Sequence, residues 1–476
     1  MSASPALSNT TIDAKRLLAK GLAARLRPGS AGAAQGTVAI PAPAAANANR
    51  PASMADVPAE VYDVRQFPER KVMEDMGRYF EAHGVKNHYF CRHTDVSREL
   101  MTVEGRECLN YSGYNYLGIG GDKRVANAVK SAVDQYGASA SASRLVAGNT
   151  DLHETLEAEM AEFLGAEACV VSVGGYQTNV TTIGYLCDRN DLILHDELVH
   201  NSIITGCVLS GARRVPFPHN DYAALESLLR ENRMNHRRVL IVTEGVYSMD
   251  GDIPDIARLV QLKKEYKALL MVDEAHSLGV IGATGRGVVE HFGLAAGDID
   301  ILMGTLSKTF ASCGGFIAGR RELIDILKYF APGLVLYSAG ISPISTAAAL
   351  AALRVLREEP ARVERLRENA RFFVDRARAA GLDTGLSDGS AVVPIVLHDD
   401  DLALRVVDQL MEHDAICVHA MLYPSVPKGA ARLRFFLSAA HTREQLAYTI
   451  DRLAARIAGR EVHEAAVTSR HPASGR

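Results

Sequence analysis

The sequence predicts an α/β protein: a large domain on a mostly parallel central sheet, followed by a smaller α+β domain. Two observations carry this. Short, continuous apolar runs alternate with helical stretches through the middle of the chain, as strands covered on both faces require. The order then changes to a long helical region followed by three strand-like runs and two amphipathic helices.

Residues 1–55, rich in Ala, Pro, Gly, Ser and Asn, are expected to be a disordered tail. Within it, Ile12–Leu26 can form a short helix bearing Lys15, Arg16, Lys20 and Arg25. That composition suits a solvated basic tail, a docking helix or a mitochondrial presequence. Residues 56–105 suit helices. The large domain is expected over 106–345, opening with a short strand Glu107–Tyr111 and an amphipathic helix Asp122–Tyr136, which carries Val125, Val129, Ala132 and Tyr136 on one stripe. Strands are then expected at Cys169–Val173, Leu192–Leu194, Val239–Thr243, Leu269–Asp273, Ile301–Gly304 and Gly315–Gly319. Helices are expected at Leu152–Leu164, Tyr222–Arg230 and Pro254–Tyr266. A helical region from Pro343 to about Ala380, broken at Pro360, leads into the C-terminal domain, 346–460. There Ala391–Leu397, Ile416–Met421 and Leu433–Ser438 read as strands, and Leu402–Glu412 and Thr442–Ala458 as covering helices; 461–476 form a second tail. A cleft is expected between the two domains.

The 476 residues call for more than one domain. A net charge of −4 argues against nucleic acid as the main partner, and no apolar stretch is long enough to span a bilayer. The seven cysteines are scattered, with no CxxC pair, so neither a zinc site nor a disulfide framework is supported. A reducing, cytoplasmic compartment is the expectation.

Chemistry concentrates at two strand ends. Val272-Asp273-Glu274-Ala275-His276 closes one apolar run, and Gly304-Thr305-Leu306-Ser307-Lys308 closes another before Cys313-Gly314-Gly315. In an open α/β sheet, ligands bind beyond the C-terminal strand ends. A lysine amine and a carboxylate there are what pyridoxal phosphate requires: one carries the aldehyde, the other keeps the pyridine nitrogen protonated. Taken singly, Asp273 suits a cap and Lys308 a surface lysine. Val173-Gly174-Gly175-Tyr176-Gln177-Thr178-Asn179 follows a strand and opens a helix, as a phosphate cradle or a plain turn does. Thr305 and Ser307 offer hydroxyls to the same phosphate. His200 and His276 suit either cofactor contacts or structural hydrogen bonds. Arg432-Leu433-Arg434-Phe435-Phe436 places both arginines on one strand face, suited to a substrate carboxylate or to solvent.

From about Asn110 to Ala458 the chain resembles the α-oxoamine synthases, the pyridoxal-phosphate family that contains serine palmitoyltransferase, aminoketobutyrate ligase, 5-aminolevulinate synthase and aminooxononanoate synthase. The resemblance rests on Tyr114-Asn115-Tyr116-Leu117-Gly118, on Glu244 to Asp252 (Glu-Gly-Val-Tyr-Ser-Met-Asp-Gly-Asp), and on Asp273-Glu274-Ala275-His276-Ser277. Further markers are Gly282-Ala283-Thr284-Gly285-Arg286-Gly287, Gly304 to Lys308, and Ala439-Ala440-His441-Thr442. It implies a fold-type I pyridoxal-phosphate transferase, with 106–345 as the cofactor-binding domain. Lys308 resembles the Schiff-base lysine, Asp273 the pyridine-nitrogen partner, His200 the histidine stacked on the ring and His276 the phenolate contact. Gly175 and Tyr176 match the phosphate-loop positions and Thr305 a phosphate-proximal hydroxyl. Arg434 resembles the carboxylate-binding arginine, with Asn115 close by.

The implied reaction is decarboxylative condensation of an α-amino acid with an acyl thioester, in a homodimer with sites at the subunit interface. Two departures bear on substrates. Gly137-Ala138-Ser139-Ala140-Ser141-Ala142-Ser143-Arg144 replaces a glycine-rich stretch of many members. With Leu194-His195-Asp196 and Phe217-Pro218-His219-Asn220-Asp221, it is similar to polyketide-associated synthases, which take the acyl group from a carrier protein rather than CoA. An arginine found before Pro-Pro in bacterial serine palmitoyltransferases has no counterpart near Leu422-Tyr423-Pro424. The rival readings are an aminotransferase of the same fold, which releases neither thiol nor CO2, and a non-catalytic subunit or cofactor-sensing regulator.

Overall fold

The computed structural model describes residues 53–423 and 425–459. The basic segment Ile12–Leu26, most of the expected N-terminal tail and the tail 461–476 lie outside the described residues. The chain divides at Asn87/His88 into two compact units. The first holds three short 3-10 turns within 54–66 and the helix Pro68–His83, which starts on proline and stops at left-handed Gly84.

The described residues of the second unit carry thirteen strands. They are β1 Leu100–Val103, β2 Arg106–Asn110, β3 Ala168–Ser172, β4 Leu192–Asp196, β5 Arg213–Phe217, β6 Val239–Glu244 and β7 Leu269–Asp273. Then come β8 Ile301–Thr305, β9 Gly315–Gly319, β10 Val392–Val396, β11 Ile416–Cys417, β12 His419–Met421 and β13 Arg432–Phe436. Seven form the central sheet in the order β3-β9-β8-β7-β6-β4-β5. Only β9 runs against the rest. Strands β4, β6 and β8 are buried along their whole length, which is why they read as unbroken apolar runs rather than alternating ones.

Parallel register aligns the chemistry. Glu244 pairs with Asp273, and Asp273 with Met303, so the ends of β6, β7 and β8 open side by side. Lys308 lies just beyond β8. Gly304 is required within β8 because any Cβ there would collide with the Phe316 ring of β9.

A second sheet, β10-β13-β12, is antiparallel and carries Arg432 and Arg434. The third, β1-β2-β11, joins β11 to β2 in parallel. The single strand expected over Ile416–Met421 is therefore two short strands in different sheets. Two further strands, β1 and β5, went unforeseen. β5 is an edge strand containing Arg213, Arg214 and Pro216, which an edge tolerates and a pattern search rejects. The long helical region divides into Pro343–Glu358 and Ala361–Ala379, with Pro360 between them. No described helix is long and apolar enough to cross a membrane.

Candidate active site

The strand ends converge on Asp273, which is 4% exposed. Its Oδ2 accepts from Asn179 Nδ2 at 2.7 Å and its Oδ1 from the Ala275 amide at 3.0 Å. Asn179 also donates to Ser202 Oγ at 2.9 Å. Donors on both oxygens hold this buried carboxyl in one direction.

Lys308 is partly exposed and has no hydrogen bond or ion pair among the described residues. Its Nζ lies 5.5 Å from the centre of the Tyr114 ring. Burial pulls the amine down to about 8, against the raising influence of Asp273 and Glu244. Near neutral pH such an amine is more readily freed of its proton than an ordinary lysine.

His200 caps the helix Asn201–Ser210, its Nδ1 lying 2.7 Å from Ser202 Oγ. Its amide donates to Glu244 Oε1 at 2.6 Å. Partial burial, opposed by Asp273 but helped by Lys308 and Arg434, holds its imidazole below the usual range, although part of the residue faces solvent. The Glu244 carboxyl is raised well above the usual carboxylate range by burial and by Asp273. His276 is buried, with Nδ1 2.7 Å from the Tyr116 hydroxyl and its ring 6.0 Å from Phe436 at 9°. Burial and the cations Lys308 and Arg434 keep it neutral.

The helix Gly175–Leu186 begins with Gly174 at its N-cap, which offers no side-chain acceptor to the first amides. A Cβ on Gly175 would come within 2.7 Å of Thr305 Oγ1, so glycine is needed for the helix start to approach β8. Thr305 Oγ1 is 2.8 Å from Ser307 Oγ. Tyr176 is exposed, its hydroxyl 2.9 Å from Thr205 Oγ1.

Arg434 donates to the Ser248 carbonyl at 3.1 Å and contacts Met249 Sδ at 3.3 Å. Its guanidinium lies over Phe436, and its Nε is buried without a hydrogen-bond partner among the described residues. Asn115 is engaged elsewhere: it donates to the Ser97 carbonyl and accepts from the Gly120 amide, both at 3.0 Å. Its neighbour Tyr114 is the residue beside Lys308.

This arrangement fits pyridoxal phosphate. Open helix amides with the Thr305 hydroxyl suit the phosphate, Asp273 a protonated ring nitrogen, and Lys308 the aldehyde. Sequence reading missed Asn179, Ser202, Glu244, Ser248 and Tyr114 as site residues. Asn179 and Glu244 sit within motif segments, but their partners Asp273 and His200 are distant in sequence, so no local pattern marks the pairing.

The sequence profile of the class I and II aminotransferases matches residues 106–453. The 8-amino-7-oxononanoate synthase of Thermosipho melanesiensis is 42% identical over 352 residues, covering 74% of this chain and 89% of the relative. Among solved structures, the serine palmitoyltransferase of Sphingomonas wittichii superposes with a TM-score of 0.78 at 30% identity, over 83% of this chain and 99% of that one. A serine palmitoyltransferase structure with pyridoxal phosphate as its internal aldimine gives 0.77 at 28% identity, over 83% and 99%. The chain belongs to the class I and II aminotransferase family and, within it, to the α-oxoamine synthases.

Proposed function

We propose that this protein is a pyridoxal-phosphate-dependent acyltransferase that joins an α-amino acid to an acyl thioester, releasing CO2, a free thiol and an α-aminoketone. The observation that carries this is the Lys308 amine just beyond the end of β8, without a hydrogen bond among the described residues, with the donor-bound Asp273 carboxyl at the end of neighbouring β7. When bound, pyridoxal phosphate supplies an electron sink that stabilises negative charge on the carbon α to the substrate nitrogen.

The chain's own groups do the rest. Asn179 and the Ala275 amide hold the Asp273 carboxyl in the direction from which it would meet the ring nitrogen of a bound cofactor. Arg434 takes the amino-acid carboxylate, for which its unpartnered buried Nε is suited. Lys308 removes the α-proton at Nζ and returns it at the end. His200 and His276, both held toward the neutral form, would flank a bound cofactor without competing with Lys308 for charge. Orientation of two reactants beside one group supplies much of the rate.

The acyl donor is a thioester of CoA or of a carrier protein, and the loop 137–144 is the segment we assign to reading it. In that loop Arg144 forms a buried ion pair with Glu157, and Ser143 Oγ donates to the Val335 carbonyl at 3.0 Å. Exposed Val146 and Tyr337 nearby in sequence to these partners support burial against a second copy in a homodimer. All seven cysteines are free, which fits a reducing cytoplasmic compartment.

Incubation of the cofactor-loaded protein with single amino acids and CoA- or carrier-bound thioesters tests the reading. Thiol and CO2 are expected together. Keto-acid formation with neither would assign the aminotransferase reaction instead.

A further inference from the structure

A part-buried charge cluster links two of the segments that present the site, and none of the chemistry above uses it. His219 lies between β5 and the helix Tyr222–Asn232, with both ring nitrogens on carboxylates. Nδ1 is 3.0 and 3.1 Å from the two oxygens of Asp196, and Nε2 is 3.0 Å from Asp252 Oδ2. Asn220 Nδ2 also stands 3.1 Å from Nε2, but its shorter bond, 2.9 Å, is to Asp252 Oδ2, so both ring nitrogens are left to donate to carboxylates, which is the pattern of an imidazolium. The neighbouring Asn220 repeats the bridge: its amide donates to Asp196 Oδ2 and its Nδ2 to Asp252 Oδ2, both at 2.9 Å.

The two acids sit on the two segments that present the site. Asp196 ends β4, four residues before His200. Asp252 closes the turn after β6, whose Tyr247 amide donates to the Asp252 carbonyl at 3.1 Å. That turn carries the Ser248 carbonyl and Met249 sulfur that hold Arg434, and Asp250, which pairs with Arg432 at 2.5 Å. The His219 ring also meets Tyr247 edge to face at 4.5 Å.

We propose that His219 is a positioning residue: as a part-buried imidazolium between Asp196 and Asp252, it fixes the turn 247–252 and thereby aims Arg434 at the amino-acid carboxylate. This rests on Arg434 being the carboxylate anchor. His219 touches no reacting atom; its effect passes through Ser248 and Met249.

The test is a spectroscopic titration of cofactor-loaded enzyme with the standard α-amino acids, alongside KM for the thioester and thermal unfolding. His219→Gln is expected to weaken amino-acid binding about 10- to 100-fold, the scale set by a small misplacement in a site. Thioester KM stays unchanged. Asp252→Asn, which keeps the shape and removes the charge, moves the same Kd in the same direction. A merely structural role would lower the melting temperature and the active fraction without moving Kd per bound cofactor.

If Arg434→Gln weakens binding while both cluster variants stay within about twofold of the parent, the positioning role is wrong and the carboxylate reading stands. If Arg434→Gln leaves Kd unchanged, or the parent binds no amino acid, both fall. Should His219→Gln fail to fold, Asp252→Asn decides alone; failure of both to fold makes the cluster a core support and overturns the proposal.

Discussion

Lys308 and His219 are both partly exposed nitrogen bases near buried carboxylates, yet their proton affinities move in opposite directions. The Lys308 amine, near but not bonded to Asp273 and Glu244, is pulled down by burial to about 8. For His219, burial also pulls downward, but direct bonds to Asp196 and Asp252 outweigh it and push the ring up to about 10. Direct hydrogen bonds decide the sign; proximity of charge alone does not. One cluster leaves a base free to exchange its proton, while the other locks a cation in place.

The largest expected effect removes the poised member. Lys308→Ala is expected to lower turnover by at least about 10³-fold and to abolish the visible absorbance of bound cofactor, with an unchanged melting profile. Retained condensation would break the contrast at its reactive end. Asp273→Asn keeps the shape but removes the charge, and about 100-fold of kcat/KM is expected to go with it, on the scale of losing one positioned electrostatic group. Gly175→Ala is a steric test of the cradle: the new Cβ lies 2.7 Å from Thr305 Oγ1, so cofactor affinity is expected to fall about tenfold with little change in fold. Equilibrium dialysis against pyridoxal phosphate reads that change.

The smallest effect sharpens the other side. The folded-state pKa of His219, about 10, lies above its ordinary 6.5, so the native state holds that proton more tightly. Its contribution to stability is complete below pH 6.5 and lost as pH rises through about 10. Besides Asp196 and Asp252, the ring is met by the uncharged Asn220 Nδ2, 3.1 Å from Nε2, and by Tyr247, whose phenol is raised well above its usual range by burial. The melting-temperature gap between the parent and His219→Gln is therefore expected to be widest at pH 6 and to narrow by a few degrees toward pH 10. A gap that does not change with pH would show that the ring is not a part-buried cation.

What the sequence reveals follows from what each element buries. β7 is legible residue for residue, because Leu269–Val272 is apolar on both faces and Asp273 stands where the run ends. β5 is not, since its edge position admits Arg213, Arg214 and Pro216. The apolar run Ile416–Met421 hides a change of sheet, because periodicity reports burial and not the partner strand. Around the site, Lys308 and Asp273 are marked by strand ends and motif context. Asn179 and His219 fall within motif segments, but their roles are not legible there, since these lie in partners that only the fold delivers, Asp273 for one and the pair Asp196 and Asp252 for the other. Asn115 shows the converse: a motif residue whose amide is engaged by local backbone, while Tyr114 beside it lies over Lys308.

Borohydride trapping of the cofactor on the purified protein, followed by peptide mass mapping, addresses the central claim most directly. A single reduced pyridoxyl group on the peptide containing Lys308 is the expected result. A label on another lysine, or none on a protein that still condenses amino acid with thioester, would contradict it.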